Sequence, residues 1–145
     1  MTRRDSSPSR HAAVVLYIDG SVERNPGPGA IGVVVEEEDG TPVEAWGEAI
    51  GHVTNNQAEY QALLAGLRKA RQLRASHVRV RSDSQLLVRQ FVGQYRVRDE
   101  KLKPLLEQAR SLAGAFVSFS IEHIPRERNR AADRLANRAR LEQSS

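Results

Sequence analysis

With 145 residues, 39% of them hydrophobic, the chain can bury one core but is short for two full domains. It has no cysteine, which excludes a disulfide framework and a thiolate-held metal, and a reducing cytoplasm fits that composition. The formal charge of +4, from 22 basic against 18 acidic side chains, suits a polyanionic partner, but many basic proteins are merely soluble, so the placement of charge matters more than its sum.

The apolar run from Ala12 to Ile18 is interrupted by Asp19 and has no small-residue cleavage signature, which argues against a signal peptide, and no stretch is long enough to span a bilayer. Residues 1–11 and 143–145 are expected as disordered tails around a single domain over 12–142. Residues 13–19 read as a buried strand. "AIGVVVEEE" and "TPVEAWGEAI", joined by Asp39-Gly40, read as a hairpin that follows it. From Thr54 the pattern becomes helical: Leu63, Leu67 and Ala70 share a face, and Thr54 with Gln57 has capping-box spacing. "HVRVRS" alternates as a fourth strand, and "SQLLVRQFV" reads as a short helix with Ser82 and Gln85 again at capping-box spacing. "EKLKPLLEQARSLAG" supplies a further helix, "FVSFSIEHI" a fifth strand, and "RNRAADRLANRARL" a closing helix. The order β-β-β-α-β-α-α-β-α predicts an α/β fold: a five-stranded mixed sheet, an antiparallel meander followed by parallel strands that need helical crossovers, flanked by helices.

Four acids stand in places that a core would not choose. Asp19 ends the most apolar strand, where its bland reading is a turn residue before Gly20. Glu59 lies on the helical face of Leu63 and Leu67 and so points toward the core side. Asp83 follows the fourth strand and could serve only as a first-turn acid; its face is ambiguous unless the strand has ended at Ser82. Asp133 shares a stripe with Ala132 and Ala136, small residues suited to close packing, although a solvated acid in an Arg-rich helix is the plainer account. Open α/β sheets place their ligand crevice at such strand ends and helix starts. If the four converge, each like-charged pair ~4 Å apart repels by about 4 kcal/mol at an effective dielectric near ~20. Several such pairs would consume most of a domain's net stability, ~5–15 kcal/mol. Either the acids protonate or a cation joins them. Carboxylate-only ligands favour a hard divalent ion, Mg²⁺ or Mn²⁺, and two such ions would clamp the attacking and leaving oxygens of a phosphoryl transfer.

"YIDGS" with "NPGPGAIG", "TNNQAEYQALLAGL", "RVRSDSQLLVRQ" and "HIPRERNRAADRLAN" resemble the motifs of the type I ribonuclease H family, in order and over nearly the whole chain. The resemblance implies the ribonuclease H-like fold and hydrolysis of the RNA strand of RNA/DNA hybrids. It assigns Asp19, Glu59, Asp83 and Asp133 to a site for two divalent ions, with product ends carrying a 5′ phosphate. It also assigns substrate contact to Asn25, Asn55, Asn56 and Gln85, whose amides both donate to and accept from 2′-hydroxyls and base edges, and to Thr54 at a DNA-strand phosphate. Local duties at a turn and a helix start compete for all but Gln85. Many relatives carry a basic, Trp-rich protrusion; here "FVGQYRVRDEKLKPLL" is short and has no tryptophan, which shifts the load to Arg96, Arg98, Lys101 and Lys103. A histidine before the last acid often assists product release in the family. His123 has suitable spacing, a packed strand-end histidine is the competing reading, and Arg126 or Glu127 could take over the task. The arginines of the final helix read as a solvated surface, and Trp46 as core or sheet packing.

"GPGAIG" matches the dinucleotide-binding glycine pattern, but a strand follows where that site needs a helix, and the reading fails. A nucleic-acid-binding module without catalysis fits the basic charge, but carboxylates repel a phosphate backbone unless metal intervenes. Double-stranded RNA stays open as a second substrate, because it shares A-form geometry with a hybrid. A monomer is expected.

Overall fold

A computed structural model of the chain describes residues 11–144. The expected tails over residues 1–10 and at Ser145 lie outside the described residues. Two tail assignments need correction. His11 is tied to the domain: its N–H donates to the Leu73 carbonyl (3.0 Å) and its Nδ1 lies 2.9 Å from Glu37 Oε2. At the other end the last helix continues to Ser144, and Gln143 Nε2 donates to the Gly29 carbonyl at 2.7 Å.

The elements follow the expected order: β1 (Ala13–Val22), β2 (Gly27–Glu37), β3 (Pro42–Val53), α1 (Asn55–Gln72), β4 (His77–Ser82), α2 (Gln85–Phe91), α3 (Lys103–Gly114), β5 (Ser118–His123), a single 3₁₀ turn (Arg126–Arg128) and α4 (Arg130–Ser144). They build one sheet in the order β3-β2-β1-β4-β5. The pairs β1/β2 and β2/β3 are antiparallel, and β1/β4 and β4/β5 are parallel. Asp39 and Gly40 turn the hairpin as expected: Gly40 adopts φ 91°, and Asp39 Oδ1 accepts from Thr41 N at 2.9 Å.

The alternation of side chains along the strands sorts the helices onto opposite faces. Leu16, Ile18 and Val33, all fully buried, meet α1 at Gly66, and Leu63, Leu64 and Leu67 complete that core. Gly32, one residue from Val33 and so on the other face, meets α4: a Cβ there would lie 2.0 Å from the Ala132 carbonyl oxygen. Small residues are therefore required where α4 crosses the sheet, as the Ala132 and Ala136 stripe foretold. Trp46 is half-buried against the core, with Lys69 Nζ 5.4 Å from its ring centroid, in line with its packing role. α1 starts in the expected capping box, with Thr54 Oγ1 accepting from Gln57 N (3.1 Å) and Gln57 Oε1 accepting from Thr54 N (2.8 Å).

Two local expectations change. β1 does not stop at Asp19 but pairs with β2 as far as Val22; what stops is its parallel pairing with β4, at Ile18 opposite Ser82. And Ser84, not Ser82, caps α2, accepting from Leu87 N at 3.2 Å, while Ser82 Oγ accepts from Ser84 N at 3.0 Å.

Candidate active site

Where β1 outruns β4, a crevice opens at the carboxyl end of the parallel strands, the usual ligand position in such sheets. Asp19 stands at its edge, only 4% exposed. Its neighbour Gly20 turns to the other face and touches α1: a Cβ on Gly20 would lie 2.7 Å from the Ala58 carbonyl carbon and 2.8 Å from Glu59 N. This close approach carries Glu59 to the strand, where its carboxylate accepts a hydrogen bond from the Gly20 N–H. β4 ends at Ser82, so the ambiguity over Asp83 is settled by the chain leaving the sheet one residue earlier. Asp83 precedes the Ser84 cap rather than lying in the first turn of α2. Carboxylate oxygens of Asp19, Glu59 and Asp83 all lie within 4.8 Å of one another. Asp133, brought in by the tight seat of α4 on Gly32, hydrogen-bonds the Asp19 carboxyl but is not part of that triad.

The electrostatics of this gathering are costly. Burial first, then the charges of Glu59, Asp83 and Asp133, push the Asp19 carboxyl up to about 9. Glu59 is pushed up to about 8 by burial and by Asp83, against the opposing pull of the Gly20 N–H and the Arg126 guanidinium. Glu59 Oε1 is buried and has no hydrogen-bond partner among the described residues. An orphaned buried oxygen facing two further carboxylates is a donor set for a divalent cation, and hard oxygen ligands suit no softer metal.

Other side chains hold these acids in place, and the sequence did not single them out. Asn129, 1% exposed, donates from Nδ2 both to the Ile18 carbonyl (2.8 Å) and to Asp83 Oδ2 (3.2 Å), bridging β1 and the β4 exit. Asn137 donates to Asp133 Oδ1 (3.3 Å), while its own Oδ1 accepts from Ser21 Oγ (2.6 Å), which in turn accepts from Arg140 Nε at 2.8 Å. The one available signal was the four-residue step from Asp133 to Asn137 along a helix.

The remaining expected site residues fall at three places. Asn25 Oδ1 accepts from Asn55 N at 3.0 Å, joining the β1–β2 connection to the start of α1, where Thr54, Asn55 and Asn56 follow one another. Asn25, Asn55 and Asn56 are exposed, and Gln85 is the exposed first residue of α2, two positions beyond Asp83. His123 ends β5 in register with Ser82; it is exposed, which corrects the packed reading. Arg126 opens the 3₁₀ turn, exposed, and its charge acts on Glu59.

The fold and the carboxylate pocket together define a domain of the ribonuclease H type. The chain matches the family model described as reverse transcriptase-like over residues 17–139. Ribonuclease HI of Halobacterium salinarum is 42% identical over 132 residues, 91% of this chain and 66% of the relative. The bifunctional protein Rv2228c of Mycobacterium tuberculosis is 45% identical over 127 residues, 87% of this chain and 35% of the relative, so the chain spans only part of either protein. Among solved structures, RNase H1 of Halobacterium salinarum superposes with a TM-score of 0.88, covering 91% of this chain and 99% of that one at 42% identity. LC11-RNase H1 in complex with an RNA/DNA hybrid superposes with a TM-score of 0.85 at 37% identity, over 91% of this chain and 99% of that one. The chain belongs to the type I ribonuclease H family. No helix among the described residues is long and apolar enough to cross a membrane.

Proposed function

We propose that this chain is an endoribonuclease that hydrolyses the RNA strand of RNA/DNA hybrids with the help of divalent metal, leaving 5′-phosphate and 3′-hydroxyl ends. The observation that carries the reading is the packing of Asp19, Glu59 and Asp83 oxygens within 4.8 Å, with Asp133 against Asp19, at the mouth of the sheet. Asp19, Glu59, Asp83 and Asp133 would hold two Mg²⁺ or Mn²⁺ ions. Such ions, when bound, polarise the scissile phosphate and make water a better nucleophile at neutral pH. The protein's own part is to hold the Asp19 and Glu59 carboxyls, raised by burial and by neighbouring charge, ready for a cation that neutralises them, and to keep the acid oxygens fixed through Gly20, Asn129 and Asn137.

The amides of Asn25, Asn55, Asn56 and Gln85 would read the minor groove of the duplex, where 2′-hydroxyls distinguish RNA from DNA, and Thr54 would take a DNA-strand phosphate. Help with product release falls to one of the exposed residues His123, Arg126 and Glu127, and Arg126 is favoured by its direct influence on Glu59. The halobacterial protein and LC11 are both named as RNase H1, and LC11-RNase H1 was solved with an RNA/DNA hybrid, which supports the same substrate here.

A labelled hybrid incubated with Mg²⁺ or with EDTA tests the reading. Metal-dependent cutting of the RNA strand is expected, and binding without cutting would leave only a nucleic-acid-binding module. Double-stranded RNA run beside the hybrid shows whether the A-form geometry alone suffices. Asp19→Asn should reduce cleavage by more than about 100-fold, beyond the ~10–100-fold seen when groups merely supporting a ligand are removed; a folded, fully active variant would refute the assignment.

A further inference from the structure

Beside Asp133 an open groove of about 470 Å³ follows the start of α4, lined by Arg126, Glu127, Arg130, Asp133, Arg134 and Asn137. Its three arginines recur every four residues, so Arg130 and Arg134 stand along one side of the helix about 6 Å apart in axial rise. Both are exposed, and neither forms an ion pair among the described residues. Arg130 also occupies the first position of α4, where the partial positive charge of the helix end disfavours a cation. Two exposed cations without an ion pair among the described residues, one of them at an unfavourable helix end, stand beside a pocket of carboxylates with no structural duty that the fold explains. They have an electrostatic one: the acids repel any phosphate chain approaching them, and flanking cations offset that repulsion.

We propose that this groove carries the phosphodiester backbone of the strand being cut, with Arg130 and Arg134 pairing with phosphates next to the scissile one. The proposal rests on the hydrolytic reading of the carboxylate pocket. It revises the expectation that the arginines of this helix form only a solvated surface. It also supplies grip on the side of the site away from the short α2–α3 connection.

Steady-state cleavage of a labelled hybrid in Mg²⁺, repeated over a range of salt concentrations, tests it. Arg130→Ala and Arg134→Ala should each raise KM about fivefold and lower the slope of log KM against log salt by about 1, with kcat unchanged. Arg134→Lys should restore most of the affinity, and Arg71→Ala, in the last turn of α1, should alter neither KM nor slope. Arg134→Gln replaces the alanine variant if the latter does not fold. Wild-type protein that fails to cut in Mg²⁺ overturns the hydrolytic reading itself. Wild-type protein that cuts, with variants that keep the parent KM and salt slope or lose only kcat, overturns the groove alone.

Discussion

Asn129 shows how much of a site can rest on a residue that carries no charge. Its amide reaches Ile18 and Asp83 at once, groups 111 and 46 positions away in the chain, and so fixes one carboxylate relative to the strand that bears another. Asn129→Ala leaves a buried carbonyl without its donor, which costs about 1–3 kcal/mol of stability, and frees Asp83 to turn. The variant should need roughly 10-fold more Mg²⁺ for half-maximal cleavage, with the rate recovering at saturating metal. A titration of activity against Mg²⁺ checks this, and an unchanged midpoint would remove the positioning role. In the sequence, Asn129 falls in the first turn of the expected closing helix as one more polar residue; only the folded chain brings it to β1. Asp19 and Glu59 were legible for the opposite reason, since each interrupts an apolar pattern of its own element. His123 was legible in position but not in exposure, because alternation in a short edge strand does not say which face is covered.

Between elements, the decisive contacts are those in which no side chain intervenes. The seat of α4 on Gly32 leaves no volume for a methyl group, since the added atom would lie 2.0 Å from the Ala132 oxygen and 2.8 Å from Ala136 N, both backbone. Gly32→Ala must therefore displace the helix that carries Asp133, and a loss of about 3 kcal/mol or more is expected. Urea denaturation should show a lower midpoint with the same slope, and cleavage at moderate denaturant-free temperature should fall as well, because Asp133 moves with its helix. A variant as stable as the parent would mean that the helix does not sit so close. The order of elements, the hairpin turn and the capping box of α1 could all be read from the sequence, because each is decided by neighbours in the chain. The cap of α2 could not: Ser82 and Ser84 are chemically alike, and where β4 ends depends on its register with β1.

For the molecule as a whole, the acid pocket ties stability to pH and metal. Asp19 and Glu59 are raised above the ordinary carboxylate range, so the folded chain holds protons that the unfolded chain has already released. Stability from this source is fully present below the unfolded value near ~4 and is lost as pH rises toward ~8–9. In EDTA, the melting temperature should thus decline from about pH 5 to about pH 8, and excess Mg²⁺ should restore most of it, with the larger gain at the higher pH. Asp19→Asn should melt higher than the parent in EDTA at about pH 8, by roughly 3–6 °C if the relief is near 1 kcal/mol for a chain of this size. Calorimetry in paired buffers decides: a pH-independent metal effect, or a destabilised Asp19→Asn protein, contradicts the assigned burdens.

The acids are presented by the ends of β1 and β4 and by α1 and α4, which pack on the sheet, whereas the α2–α3 connection lies between two other helices and supplies none of the four. The proposed reaction and any grip from that connection thus have separate anchorages. Lengthening, shortening or exchanging that connection would then change which duplexes are held while leaving the proposed cleavage of the phosphodiester intact.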